Sequence, residues 1–183
     1  DIIWRFDMRE ELGVFPHNIT SSSILMVGDR LYVTTSNGQD WSHVNIPAPR
    51  SPALICLDKK TGKLLGEETS GISTRLLHCN WSSASYGEFG GKGTVIFGAG
   101  DGFCYGYDPM PVAEADGGTL KELWRFDCNP ADQRLKPDGK PFKYPDPKGP
   151  NECIATPVVH KGRIYIAIGQ NALLASAATA PAI

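Results

Sequence analysis

Leu25-Met26-Val27-Gly28-Asp29-Arg30-Leu31-Tyr32-Val33 and Val158-Val159-His160-Lys161-Gly162-Arg163-Ile164-Tyr165-Ile166 carry one pattern, and its reading decides the fold. Each is two β-rich runs around a two-residue turn, with a glycine supplying the positive φ that tight hairpins demand. Lys92-Gly93-Thr94-Val95-Ile96-Phe97 fits the second half of the same pattern, which places Tyr32, Ile96 and Tyr165 at equivalent sites. Working outward, Trp4-Arg5-Phe6-Asp7 recurs as Trp124-Arg125-Phe126-Asp127, and Ala53 to Leu65 reads as strand, polar turn, strand around Gly62. A repeat that cannot bury its own face announces a stacked or radial architecture, and four antiparallel strands per repeat are the mark of a β-propeller.

The expected fold is therefore all-β, a β-propeller of four-stranded antiparallel blades, incomplete in this chain, with two full and two partial blades. Strands are expected at 2 to 7 (D of a first partial blade), then 21 to 27, 30 to 36, 53 to 58 and 63 to 68 (A to D). The second full blade takes 82 to 86, 94 to 98, 102 to 108 and 120 to 127, and 154 to 160 with 163 to 168 begin another. Position 1 is Asp and the strand pattern begins at once, so the chain is expected to start inside an element with sequence upstream. Such a piece leaves sheet edges open, and it is expected to need further blades or other protein subunits to cover them.

Composition agrees. There are 20 glycines and 14 prolines in 183 residues with 41% hydrophobic residues, which favours many turns between short strands over a helical bundle. The formal net charge of −2 and the lack of a basic run remove the footprint needed to grip nucleic acid or an anionic membrane surface. Ile164 to Ile183 is uncharged, but Gly169, Gln170, Asn171, Ser176, Thr179 and Pro181 interrupt it, so no transmembrane span is expected. Five cysteines at 56, 79, 104, 128 and 153 form no adjacent pair and no CxxC motif. Buried thiols on strands are expected, with Cys56 and Cys104 reduced and unbridged.

Leu57-Asp58-Lys59-Lys60-Thr61-Gly62-Lys63 and Glu122-Leu123-Trp124-Arg125-Phe126 resemble the PQQ-like β-propeller repeat. Phe15-Pro16-His17-Asn18, Val33 to Gly38, Asn45 to Arg50 and Ile154 to Val158 are similar to the BamB-like quinoprotein propellers of planctomycete-type bacteria. The resemblance covers residues 1 to 170 as a propeller segment and leaves 171 to 183 as an Ala-rich tail that departs from it. It also departs at Gly66, where the repeat usually has a Trp that docks one blade on the next. The resemblance implies a non-catalytic scaffold or protein-binding subunit of an extracytoplasmic, periplasmic or membrane-associated complex. Its alternative is a fragment of a PQQ-dependent quinoprotein oxidoreductase, which would require PQQ with Ca²⁺; otherwise no cofactor is expected. A vicinal disulfide over such a cofactor would need a Cys-Cys pair that the sequence lacks.

Blade connectivity sorts the loops by face. Those at 8 to 20, 37 to 52, 69 to 81 and 128 to 153 open on one side, and long loops on a rigid scaffold are where binding residues concentrate. The candidate partner-binding residues are His17, Trp41, His43, Arg50, His78, Trp81, Phe142 and Tyr144, on a face that also holds Arg134, Asp146 and Glu152. The three histidines lie in different loops without ligand spacing, so they read as ordinary hydrogen-bonded or surface groups and no metal is expected. Asp101, within Gly98-Ala99-Gly100-Asp101-Gly102, reads as turn chemistry first and as a catalytic acid second. No Ser/His/Asp order, phosphate loop or HExxH is present, and no catalytic residue is assigned.

Overall fold

The computed structural model describes residues 1–114, 117–142 and 144–169 in full, and the backbone alone of 174–179. The first blade is built from β1 (Leu25–Val27), β2 (Arg30–Thr34), β3 (Leu54–Asp58) and β4 (Leu64–Glu68), paired antiparallel in sequence order. The second uses β5 (Ser85–Phe89), β6 (Lys92–Gly98), β7 (Phe103–Tyr107) and, after an excursion through β8 (Val112–Glu114) and β9 (Gly117–Leu120), β10 (Glu122–Asp127). A third begins with β11 (Val158–His160), β12 (Arg163–Ile168) and β13 (Leu174–Thr179). The tight turns carry the chemistry expected of them: Gly90 and Gly91 have φ of 58° and 79°, and Lys161 and Gly162 have φ of 48° and 71°, the mirror-image turn that suits twisted hairpins.

Strand alternation sends side chains to two different cores. Val95 and Phe97 of β6 join Tyr32, Leu54, Cys56, Tyr105 and Tyr107 between the first and second blades. Ile96, on the opposite face of the same strand, joins Cys104, Cys128, Cys153, Ile164, Ile166 and Ile168 between the second and third. The middle blade is thus covered on both faces, which is why β6 reads as a continuous apolar run rather than an alternating one. All five cysteines are free and buried, Cys56 and Cys104 among them, as expected of thiols serving as small hydrophobes. Burial pushes the Cys56 thiol up to about 11 and the Cys79 thiol up to about 12, so both are inert at neutral pH.

Three expectations are corrected. Residues 2 to 7 form no strand; they run as irregular chain into α1 (Met8–Leu12), which Asp7 caps by accepting hydrogen bonds from the Arg9 and Glu10 amides. A strand needs a partner edge, and none among the described residues faces this segment; its Trp4 instead lies against Gly62 and donates Nε1–H to the Lys59 carbonyl at 2.9 Å. The β5–β6 hairpin turns at Gly90-Gly91, two residues earlier than expected, so Thr94 and not Ile96 matches Tyr32 and Tyr165. The last strand of the second blade starts after Lys121: residues 117–120 leave that blade and pair in parallel with β4, through Glu67–Thr119 and Glu68–Leu120, extending the first blade to six strands. Beyond β12, within the stretch expected to depart from the repeat pattern, β13 pairs with it antiparallel from Arg163–Thr179 to Ile168–Leu174. The rest of the 171 to 183 tail lies outside the described residues.

Gly66 explains the missing Trp. A Cβ there would sit 2.9 Å from the Pro111 Cβ and 3.3 Å from the Gly118 backbone, so the position is emptied to let the β8–β9 hairpin lie against the blade edge.

Candidate functional site

Three loop segments are laced together at the long-loop end. Pro16 bridges Asn37, Gly38 bridges Cys79, and the Gln39 amide donates to the His78 carbonyl at 2.9 Å. Asn37, fully buried, is the hub: its Oδ1 accepts from the Phe15 amide at 3.0 Å while its Nδ2 donates to the Ala48 carbonyl at 2.8 Å and to Ser73 Oγ at 2.9 Å. Gly38 allows the approach, since a Cβ there would lie 2.6 Å from the His17 Cβ and 3.0 Å from the Cys79 Cβ. This lacing fixes the backbone of His17 beside that of His78, and both side chains are buried.

The two imidazoles meet edge to face, with ring centroids 4.5 Å apart and Nε2 atoms 2.9 Å apart. His17 Nδ1 is 2.7 Å from the Gln39 carbonyl, an acceptor only, so that nitrogen carries the proton. Burial lowers the His17 pKa, the Gln39 carbonyl opposes the shift, and His78 and His43 add to it. His43 closes the triangle with its ring 4.9 Å from His17 and 5.0 Å from His78. It rides on a loop tied by Asp40, whose carboxylate accepts from the Ser42 amide at 3.0 Å and from Asn45 Nδ2 at 2.9 Å, and it holds a left-handed φ of 57°. The Ser42 hydroxyl, which also donates to this carboxylate, and then Asn45 Nδ2 hold the Asp40 carboxyl down to about 2. One ring nitrogen from each of the three histidines lies within 4.8 Å of the others.

Around the triangle stand two indoles and an acid–phenol pair. Trp81 packs edge-on against His78 at 4.8 Å, and Trp41 lies 5.6 Å from His17 while remaining 71% exposed. Behind His78, Tyr144 Oη is 3.2 Å from Nδ1 and donates to Glu152 Oε1 at 3.2 Å; Glu152 Oε1 is itself 3.7 Å from His78 Nδ1. Burial and the Glu152 carboxylate push the Tyr144 phenol up, so it keeps its proton. Glu152 is fully buried, and its Oε2 finds no hydrogen-bond partner among the described residues.

Six of the eight expected face residues therefore converge: His17, Trp41, His43, His78, Trp81 and Tyr144. Arg50 is exposed outside the cluster, and Phe142 sits apart under the Lys136 ammonium at 5.7 Å. His17 and His78 are hydrogen-bonded through their rings and His43 is exposed, and the three meet because the Asn37 lacing joins loops whose sequence numbers lie far apart. Arg134 braces its own loop through Asp127 Oδ2 at 2.8 Å, and Asp146 accepts from the Lys148 amide at 2.9 Å in a local turn. The parts sequence reasoning missed are Asn37, Gly38 and Gln39; a buried Asn-Gly pair following a strand was the available signal.

Asp101 belongs to the turn, as its glycine setting indicated. Its Oδ1 accepts from the Phe103 amide at 3.2 Å, and its Oδ2 accepts from Tyr105 Oη at 2.6 Å and from Arg75 Nη2 at 3.1 Å. Burial raises its pKa above the usual carboxylate range, against the pull of Tyr105, Phe103 and Arg75.

Among solved structures, the quinohemoprotein alcohol dehydrogenase ADHIIG of Pseudomonas putida HK5 matches 85% of this chain with a TM-score of 0.51 at 16% identity. The fold is a segment of a β-propeller. BamB from Moraxella catarrhalis also matches, over 81% of this chain at 16% identity with a TM-score of 0.46. The segment spans 18% of the dehydrogenase chain and 34% of the BamB chain, and identity at this level speaks to fold alone. No protein-family model and no curated protein sequence matches the chain.

Proposed function

We propose that this propeller segment is a binding scaffold in an extracytoplasmic assembly and that the cluster around Trp41 is where a partner protein docks. One observation carries the reading. Long loops from successive blades converge on one rigid, hydrogen-bonded patch that presents Trp41 at 71% exposure, with Val44 in the same loop at 73%. Indoles on preformed surfaces anchor partners because they offer much apolar area at little entropic cost. The extracytoplasmic setting rests on the resemblance of the repeats to BamB-like propellers. No helix among the described residues is long and apolar enough to cross a membrane.

The competing quinone-and-calcium reading asks for oxygen ligands and a carboxylate base in the channel. Both oxygens of Asp101 are engaged in holding its turn and Arg75, so the acid most suited to that role by sequence does not fit it. The test captures partners with the tagged intact protein and with Trp41→Ala, side by side from the native extract. Loss of a specific interactor in the variant is the expected result. An unchanged set of interactors, or tight quinone binding with Ca²⁺-dependent dye reduction, overturns the reading.

A further inference from the structure

The geometry points to a metal site that goes beyond the docking reading: His17, His43 and His78 bind one divalent transition-metal ion of the zinc class through three imidazole nitrogens. Proton placement decides which nitrogens are free to coordinate. The Gln39 carbonyl fixes His17 Nδ1–H, which leaves the His17 Nε2 lone pair directed at His78 Nε2, 2.9 Å away. Tyr144 has a single proton to give. Donated to His78 Nδ1, it would leave the fully buried Glu152 carboxylate without that donor while its Oε2 is already unpartnered. Orphaned buried carboxylate oxygens are costly. The proton therefore goes to Glu152, His78 Nδ1–H points back at the Tyr144 and Glu152 oxygens, and the His78 Nε2 lone pair faces that of His17.

Two lone pairs held at this distance repel unless a cation lies between them; a proton there would serve that pair alone, whereas a metal ion also takes the nitrogen of His43. Three imidazoles around one point suit zinc, copper or nickel better than calcium or magnesium, which prefer oxygen. A tetrahedral zinc with ~2.0–2.1 Å bonds separates its ligand nitrogens by about 3.3 Å. The observed nitrogens bracket that value, at 2.9 Å for the His17–His78 pair and within 4.8 Å across the set. The outer hydrogen bonds are those that metal-bound histidines normally make, one ring nitrogen on a backbone carbonyl and another backed by a carboxylate. Glu152 supplies the negative charge behind His78 that three neutral ligands lack. His43, set by the Asp40-tied loop, is the ligand reachable from solvent.

The test uses the intact protein stripped with a chelator and titrated with Co²⁺ as a spectroscopic stand-in. Visible d–d absorption saturating at one ion per chain, reversed by Zn²⁺, is the expected result. His43→Ala, an exposed loop position outside both cores, keeps the melting transition and weakens Co²⁺ binding by at least about tenfold, and Glu152→Gln weakens it by about 10- to 100-fold. His160→Ala, at an exposed histidine of β11, leaves binding unchanged. Failure of the unsubstituted protein to bind Co²⁺ or Zn²⁺, unaltered binding in folded His43→Ala, or intense near-ultraviolet thiolate-to-cobalt bands would overturn the proposal. Partner capture through Trp41 is a separate readout, so the two proposals fail independently.

Discussion

Glu68 ends β4 with its side chain buried, accepting from the Ala53 amide at 2.9 Å and the Ser70 amide at 2.8 Å. Two amide donors favour the carboxylate, but desolvation is the larger effect and pushes the group up to about 7. The ordinary value, 4.5, applies once the chain unfolds. Between those two values the folded form holds the proton and the unfolded form does not. Stability from this residue is therefore fully present below about pH 4.5, declines as pH rises and is lost above about pH 7. The span corresponds to roughly 3 kcal/mol at about 1.4 kcal/mol per pKa unit. Glu68→Gln removes the titration. Urea unfolding at pH 4 and pH 8 is expected to show the variant gaining on the parent by that order across the window, and a constant difference would mean that Glu68 does not titrate there.

Within single hairpins, local sequence is sufficient. The Gly-containing two-residue turns and their β-rich flanks name all three hairpins. In the second, Gly90-Gly91 and Gly93 compete for the turn, and the register slips by two residues, which preserves the face of every side chain. Identity of local sequence was insufficient where pairing is non-local. Trp4 to Asp7 and Trp124 to Asp127 share their letters, but only the second stretch has β7 beside it. The sequence places the three histidines on one face but does not write their contact, for the same reason, since that contact exists only after Asn37 ties the loops. The β8–β9 hairpin is a further non-local element, and Gly118 is its weak point: a Cβ there would lie 2.0 Å from the Leu65 carbonyl oxygen, a backbone atom that cannot step aside. Gly118→Ala is expected to cost about 1–3 kcal/mol, as overpacking does, and to free β9 from β4. Amide exchange at Thr119 and Leu120 should quicken while β5 to β7 keep their protection; unchanged protection at Thr119 would show that the parallel pairing tolerates the methyl group.

Across the whole molecule, equivalent positions have unequal surroundings. Leu25 and Tyr32 pair across β1–β2, and Val158 and Tyr165 pair at the matching register across β11–β12. Tyr32 is fully buried between the first and second blades, its hydroxyl donating to the Pro109 carbonyl. Tyr165 is 39% exposed and Val158 58% exposed, because no described blade lies over that face of the third sheet. Each blade face in this fold is completed by its neighbour, and uncovered apolar area forfeits roughly 25 cal/mol per Å². A few hundred Å² left wet therefore amounts to several kcal/mol, comparable with the stability of an ordinary domain. The consequence is that residues 1 to 183 expressed alone will associate through this face. Sedimentation velocity should show concentration-dependent self-association, and Val158→Ser with Tyr165→Ser should shift the population toward monomer while Met26→Ser, at the 61%-exposed position on β1, should shift it less. A parent chain that sediments as a stable monomer and melts in one sharp transition would mean that the third blade is sufficient as it stands, and that the matching of Tyr165 to Tyr32 carries no requirement for a covering surface.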